Sequence, residues 1–116
     1  MPATQITFTS FDSLEDAFME VATSWGLSPS EREAIQGTSF PSGSGRRRRS
    51  RFVGDRMVLV IEIDWLLGAR MEEREIRIWL RRQVAGVFGS SPIEDMFGST
   101  DKLRRIRALL ALEVSQ

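Results

Sequence analysis

The sequence of 116 residues contains no cysteine and no histidine. Disulfide bonds are therefore impossible, and zinc sites of the usual Cys/His kind are excluded. The missing imidazole removes the most common general base, and no nucleophile has another identifiable base beside it. A glycine-rich phosphate loop and metal-ligand spacing are also lacking. We expect that the chain is not an enzyme and that it holds no cofactor.

Long apolar runs are lacking too. The longest uninterrupted one covers residues 57–61, far short of the roughly 20 residues that a membrane-spanning helix needs. The N-terminus shows no basic region followed by an apolar core, so no secretory signal is visible. We therefore expect a cytoplasmic protein with no membrane partner.

A net charge is the third absence, because sixteen basic and sixteen acidic side chains cancel. Their distribution is nevertheless uneven. Residues 1–37 hold six acidic side chains against Arg32 alone. The opposite excess follows in five closely spaced arginines: Arg46, Arg47, Arg48, Arg49 and Arg51. This asymmetry says more about partners than the zero net charge does.

The arginine run lies in residues 38–51, where serine and glycine predict a flexible loop. One interpretation is a solvated charge run without further function. The other is a DNA-binding arm that neutralises phosphates, or one that docks on the acidic N-terminal part of a second copy. No aromatic residue interleaves the run, so stacking on single-stranded bases is not indicated.

Helix signals dominate the rest of the chain. Capping boxes, in which a short polar side chain and a Glu three residues later satisfy each other's backbone N–H groups, predict helix starts at Asp12, Ser28 and Ser91. The sequence predicts an all-α fold: one domain over residues 1–116, built as a compact bundle of about six short helices. It comprises an N-terminal helical hairpin (11–37), the flexible basic loop (38–51) and a helical region (52–116).

The hairpin has the outline of a helix-turn-helix unit, with Gly26 ending its first helix and Gly37 its second. In a DNA-binding unit the second helix would enter the major groove. Glu31 and Glu33 on that helix oppose phosphate contact, so helical packing is the better interpretation.

Residues 56–70 allow two interpretations, a strand and a buried helix. The β-branched run from Val58, with alternation toward Asp64, is typical of a strand. A buried helix that is apolar nearly all round fits equally well. In a helix, Glu62 and Asp64 face different sides and are not a catalytic pair; each is expected to meet an arginine or solvent. The three tryptophans, Trp25, Trp65 and Trp79, are expected in the core.

The C-terminal third shows repeated helical spacing. Ile76, Trp79, Leu80 and Val84 form one apolar stripe, and Leu103, Ile106, Leu110 and Val114 form another. Ser99 or Thr100 is expected to cap the last helix. Leu109 and Leu112 lie outside the narrow stripe, and Phe88, Met96 and Phe97 cluster near the preceding loop. We therefore expect self-association, most simply a homodimer, or a hetero-oligomer.

The order of these features resembles the toxin-binding domain of MbcA/ParS/Xre-type antitoxins. The resemblance rests on the tryptophan-bearing helix with Trp79-Leu80-Arg81, the loop and cap Phe88-Gly89-Ser90-Ser91-Pro92-Ile93-Glu94, Met96-Phe97, and the final helix from Leu103 to Leu110. It extends upstream through residues 56–70 and includes the hairpin segment 22–37. It also favours the helix over the strand for residues 56–70.

The resemblance implies an antitoxin of a type II toxin–antitoxin system. Its partner would be a RES-domain toxin that acts on NAD, and its C-terminal segment would block the NAD pocket. Such antitoxins also repress their own operon, which implies operator DNA as a second partner. The toxin-binding residues implied here are Arg104, Arg107, Leu110, Glu113, Val114, Ser115 and Gln116. The alternatives are a DNA-binding regulator acting through the arginine run, and a solitary interaction module that kept the fold without a toxin.

Overall fold

A computed structural model describes residues 11–39, 48–49, 53–82, 91–97 and 99–114 of the chain. Within them six helices account for nearly all regular structure, which confirms the all-α prediction. The helices are α1 (Phe11–Trp25), α2 (Pro29–Gln36), α3 (Val53–Gly68), α4 (Glu73–Leu80), α5 (Pro92–Met96) and α6 (Thr100–Val114). The strands β1 (Thr38–Ser39) and β2 (Arg48–Arg49) form a two-residue antiparallel ladder.

The bundle is organised around α3, which contains the segment that the sequence allows as either a strand or a helix. The strand interpretation is wrong: Val58 to Asp64 lies within a continuous helix. Helices α1 and α6 both pack against α3, and buried residues such as Met57, Val60 and Ile63 join the central core. A helix that is covered by neighbours on two sides has apolar residues around most of its circumference, so its sequence does not show a clear helical repeat.

Three contacts show that α3 and α6 run in the same direction. Arg56 near the start of α3 reaches the carbonyl of Met96, just before α6. Glu62 in the middle meets Arg107, and Arg70 just beyond the end of α3 meets Glu113. The contacts advance together along both helices, so the C-terminal ends of α3 and α6 lie side by side.

Most predicted helix ends are confirmed. Ser28 and Ser91 close capping boxes with Glu31 and Glu94, and the Ser99 hydroxyl accepts from the N–H of Lys102. Gly26 and Gly37 have φ values of 72° and 83°, which only glycine adopts readily. The cap predicted at Asp12 is wrong, because α1 already begins at Phe11 and places residue 12 inside the first turn.

Helix α4 is shorter than its stripe predicts. It ends at Leu80, and Val84 lies outside the described residues. The predicted pair of Glu73 and Arg77 is present at 3.9 Å, with both side chains exposed. The basic loop differs from the prediction at one point: Thr38 pairs with Arg49, and Ser39 with Arg48.

Candidate functional site

The last helix, α6, presents the candidate site. Its inner stripe, Leu103, Ile106 and Leu110, is buried in the core. With one side of the helix fixed in this way, the opposite side is held toward solvent. The position and orientation of the outer face therefore follow from the inner one.

The outer face of α6 is apolar toward its C-terminal end. Leu109 is 45 % exposed and Leu112 is 61 % exposed, although leucine ordinarily seeks burial. Residues three apart share a helix face, so the two side chains form one patch. Ala108 and Arg105, also exposed, lie on the same side toward the N-terminus. We call Leu109 and Leu112 the leucine patch.

Leu110 does not belong to this patch. It is only 6 % exposed and lies in the core, so its side chain, which the resemblance implies to bind a toxin, is not accessible in this structure. The reason is helix geometry, because one step along an α-helix turns a side chain by more than a quarter of a circle. Leu109 and Leu112, which the sequence places outside the narrow apolar stripe, occupy the accessible side.

Two candidate residues have partners within the chain. The Nε of Arg107 lies 2.9 Å from Oε1 of Glu62, whose side chain is only 11 % exposed. Arg104 meets Asp101 at 3.2 Å on the surface. The expectation that Glu62 finds an arginine is confirmed. Arg107 thereby neutralises a nearly buried carboxylate, a structural role that competes with binding a partner.

The end of α6 is tied to the end of α3. Nη1 of Arg70 donates to Oε2 of Glu113 at 2.9 Å, and both side chains are more than half exposed. An exposed pair of this kind contributes little, roughly 0–1 kcal/mol. Helix α6 ends at Val114, and Ser115 and Gln116 lie outside the described residues.

The other weighed carboxylate, Asp64, accepts a 2.8 Å hydrogen bond from Nε1 of the buried Trp25. Burial raises the pKa of the Asp64 carboxyl above its ordinary value, against the opposing effect of that hydrogen bond. Glu62 and Asp64 thus point to α6 and α1 respectively. The prediction that they face different sides of a helix is confirmed.

The acidic second helix of the hairpin is held by Arg81. This guanidinium donates to both carboxylate oxygens of Glu31, at 2.9 and 3.0 Å, and to the carbonyl of Gly26 at 3.2 Å. The Arg81 hydrogen bonds lower the pKa of Glu31 to about 2. Glu31 therefore stays ionised, and its charge is compensated by Arg81 within the chain.

Only two of the five predicted DNA-binding arginines belong to the described residues. Arg48 and Arg49 form β2, paired with β1. Arg46, Arg47 and Arg51 lie outside the described residues.

The described part of the chain offers neither a metal site nor a membrane-spanning helix. No group of three or more acidic residues there could hold a metal ion. No helix there is long and apolar enough to cross a membrane.

The tryptophans divide between the core and the surface. Trp25 is 1 % exposed, as predicted, and Trp79 packs partly buried against the core. Trp65 is 43 % exposed, so its predicted core position is wrong. It lies on the side of α3 opposite the buried residues of that helix. Its spacing from Val58 and Ile61 places all three on one helix face, and this spacing could have indicated a face separate from the core.

Comparisons with known proteins add no relative: no family model, no curated protein and no solved structure matches this chain.

Proposed function

We propose that this chain is a protein-binding module that acts as an antitoxin, blocking the NAD pocket of a RES-domain toxin with its C-terminal end. The leucine patch is the observation that carries the binding role. Two large apolar side chains on one solvent-facing side of the last helix cost free energy unless a partner covers them. The resemblance to MbcA/ParS/Xre-type antitoxins supports the identity of the partner.

The contact surface differs from the one that the resemblance alone implies. Leu109 and Leu112 replace Leu110 as the apolar anchors, because Leu110 is buried. Arg104 and Glu113 remain available at the rim, since each is exposed and makes only a surface ion pair within the chain. Rim charges of this kind influence association rate and specificity more than affinity.

The test is growth rescue by co-expression with the product of the adjacent gene, which the proposal predicts to be a RES-domain toxin. Leu109→Lys and Leu112→Lys each place a charge in the patch and should abolish rescue. Ile78→Lys, an equally exposed apolar residue on α4 at 54 %, should rescue fully. Thermal melting of all three variants should match the parent, since none of these side chains is buried.

Deletion of residues 113–116 extends the test to the segment expected to enter the NAD pocket. Folding should survive, because the deletion removes one exposed ion pair and a chain end. Rescue should fall sharply. Full rescue by the deletion and by both lysine variants, or a neighbouring product that is not toxic, would contradict the proposal.

A further inference from the structure

An apolar seam runs along the solvent side of α3. Val58 and Ile61 are partly buried, and Trp65 is 43 % exposed. Gly54 and Gly68 continue the same line at either end. The five positions, Gly54, Val58, Ile61, Trp65 and Gly68, are spaced by four, three, four and three residues. This alternation is the heptad spacing with which one helix packs against another, and we call these residues the α3 seam.

The seam carries no charge, although α3 has four charged residues. Arg56, Glu62 and Asp64 are turned toward neighbouring elements, where they bond to Met96, Arg107 and Trp25 respectively. Asp55 alone is exposed, on the flank of the seam. A helix side that faces water is ordinarily polar, so an uncharged one at heptad spacing points to a helical partner.

The two glycines support this reading because the protomer itself does not require them. A Cβ at Gly68 would meet nothing within 4 Å, and one at Gly54 would make an ordinary contact with Leu14. Neither glycine has a positive φ. Close approach of another helix is a use that the protomer does not supply.

We propose that the α3 seam is a homodimer interface, in which α3 of a second copy packs antiparallel across a two-fold axis near Ile61. The seam is almost a palindrome about that residue. Gly54 then lies opposite Gly68 of the second copy, and Val58 lies opposite Trp65 of the second copy. The large indole thus meets a smaller side chain next to a glycine, which gives a knob and a hole.

Charge complementarity selects a second copy in this direction. In the antiparallel arrangement Asp55 near the start of α3 approaches Arg70 of the second copy, which lies just beyond the end of α3 and also pairs at the surface with Glu113 of its own chain. This contact occurs twice. The helix dipoles also oppose each other. A parallel pair would place Asp55 beside Asp55 and Trp65 against Trp65. Near the axis, the Glu62 carboxylates of the two copies do not repel strongly, because each is neutralised by its own Arg107.

The interface is tested by sedimentation of the full chain without a toxin, so its failure is distinguishable from failure of the antitoxin proposal. Trp65→Lys should raise the dimer dissociation constant on the order of 30-fold or more, as for a central aromatic anchor. Ile78→Lys is the matched control and should leave it unchanged.

Gly68→Leu guards against a folding defect in the first variant. Gly68 is exposed, and a Cβ at this position would meet nothing within 4 Å in the protomer. Monomer stability should therefore hold while dimerisation weakens. A dimer that tolerates both Trp65→Lys and Gly68→Leu would overturn the proposal. A parent chain that remains monomeric at about 100 µM would overturn it too, because its dissociation constant would then lie well above that concentration.

Direction is tested by disulfide trapping, since the parent has no cysteine. Ile61→Cys should form a covalent dimer on mild oxidation, whereas Ile78→Cys should not. A mixture of Gly54→Cys and Gly68→Cys chains should form the mixed disulfide in preference to either homodimer. Equal trapping of Ile61→Cys and Ile78→Cys, or dominant homodimers of the glycine variants, would contradict the antiparallel seam.

Discussion

Nε of Arg56 donates a 2.6 Å hydrogen bond to the backbone carbonyl of Ile35, near the end of α2. The same guanidinium reaches the carbonyls of Ala34 at 3.0 Å and Met96 at 3.2 Å. Arg56 is 4 % exposed, and burial lowers its pKa. One side chain on α3 therefore satisfies carbonyls at the ends of α2 and α5, and it links the N-terminal hairpin to the C-terminal region.

Replacing Arg56 should be among the most destabilising single substitutions. Arg56→Met keeps much of the volume but leaves three carbonyls without this donor. We expect a loss of about 2–4 kcal/mol in the free energy of unfolding, measured by urea titration with circular dichroism. Arg74→Ala, at an exposed site on α4, is the control and should change it by less than about 0.5 kcal/mol. Equal effects of the two substitutions would show that the buried hydrogen bonds contribute little.

The Arg107–Glu62 pair should behave as a coupled unit. Arg107→Ala leaves a nearly buried carboxylate without its partner and should cost about 1–3 kcal/mol. In the Glu62→Gln background the same substitution should cost far less. A double-mutant cycle measures this coupling. Additive effects would indicate that Arg107 is free to serve a partner instead.

Stability should fall in acid through Glu31. Its folded-state pKa of about 2 lies below the ordinary value of 4.5, so the contribution is present above pH 4.5 and is lost as pH falls toward 2. Because the pair is partly exposed, we expect at most about 1 kcal/mol. Arg81→Ala should flatten this part of the stability profile, measured by urea unfolding at successive pH values. An unchanged profile would show that the pair does not couple to folding.

Asp64 should act in the opposite sense. Its carboxyl pKa is raised in the folded state, so the folded chain binds this proton more readily, and stability from this group declines as pH rises above the ordinary value of 3.8. Asp64→Asn keeps an acceptor for Trp25 and removes the buried charge. It should raise stability at pH 7 by up to ~1 kcal/mol and leave stability unchanged near pH 3. A loss at pH 7 would mean that the charged hydrogen bond outweighs desolvation.

The helices and most of their ends could be predicted from the amino-acid sequence. Helix caps and glycine turns act through backbone groups within a few residues, so they can be recognised in the sequence. Examples are the caps Ser28 and Ser91 and the turns at Gly26 and Gly37. The apolar spacing of α6 likewise predicted its buried stripe. These patterns involve residues close together in the chain, so they can be interpreted without knowing how the helices pack.

Which sides of the helices are buried could not be predicted from the sequence, because it depends on how the helices pack against one another. Trp65 and Leu110 have the same apolar character, yet the first is exposed and the second buried. Helices α1 and α6 cover two sides of α3 and leave the side with Trp65 open, whereas Leu110 lies on the side of α6 that faces the core. Arg107 and Arg56 read as surface cations until Glu62 and the distant carbonyls are brought beside them. Such contacts join residues far apart in the chain, and their energies depend on burial that packing alone creates.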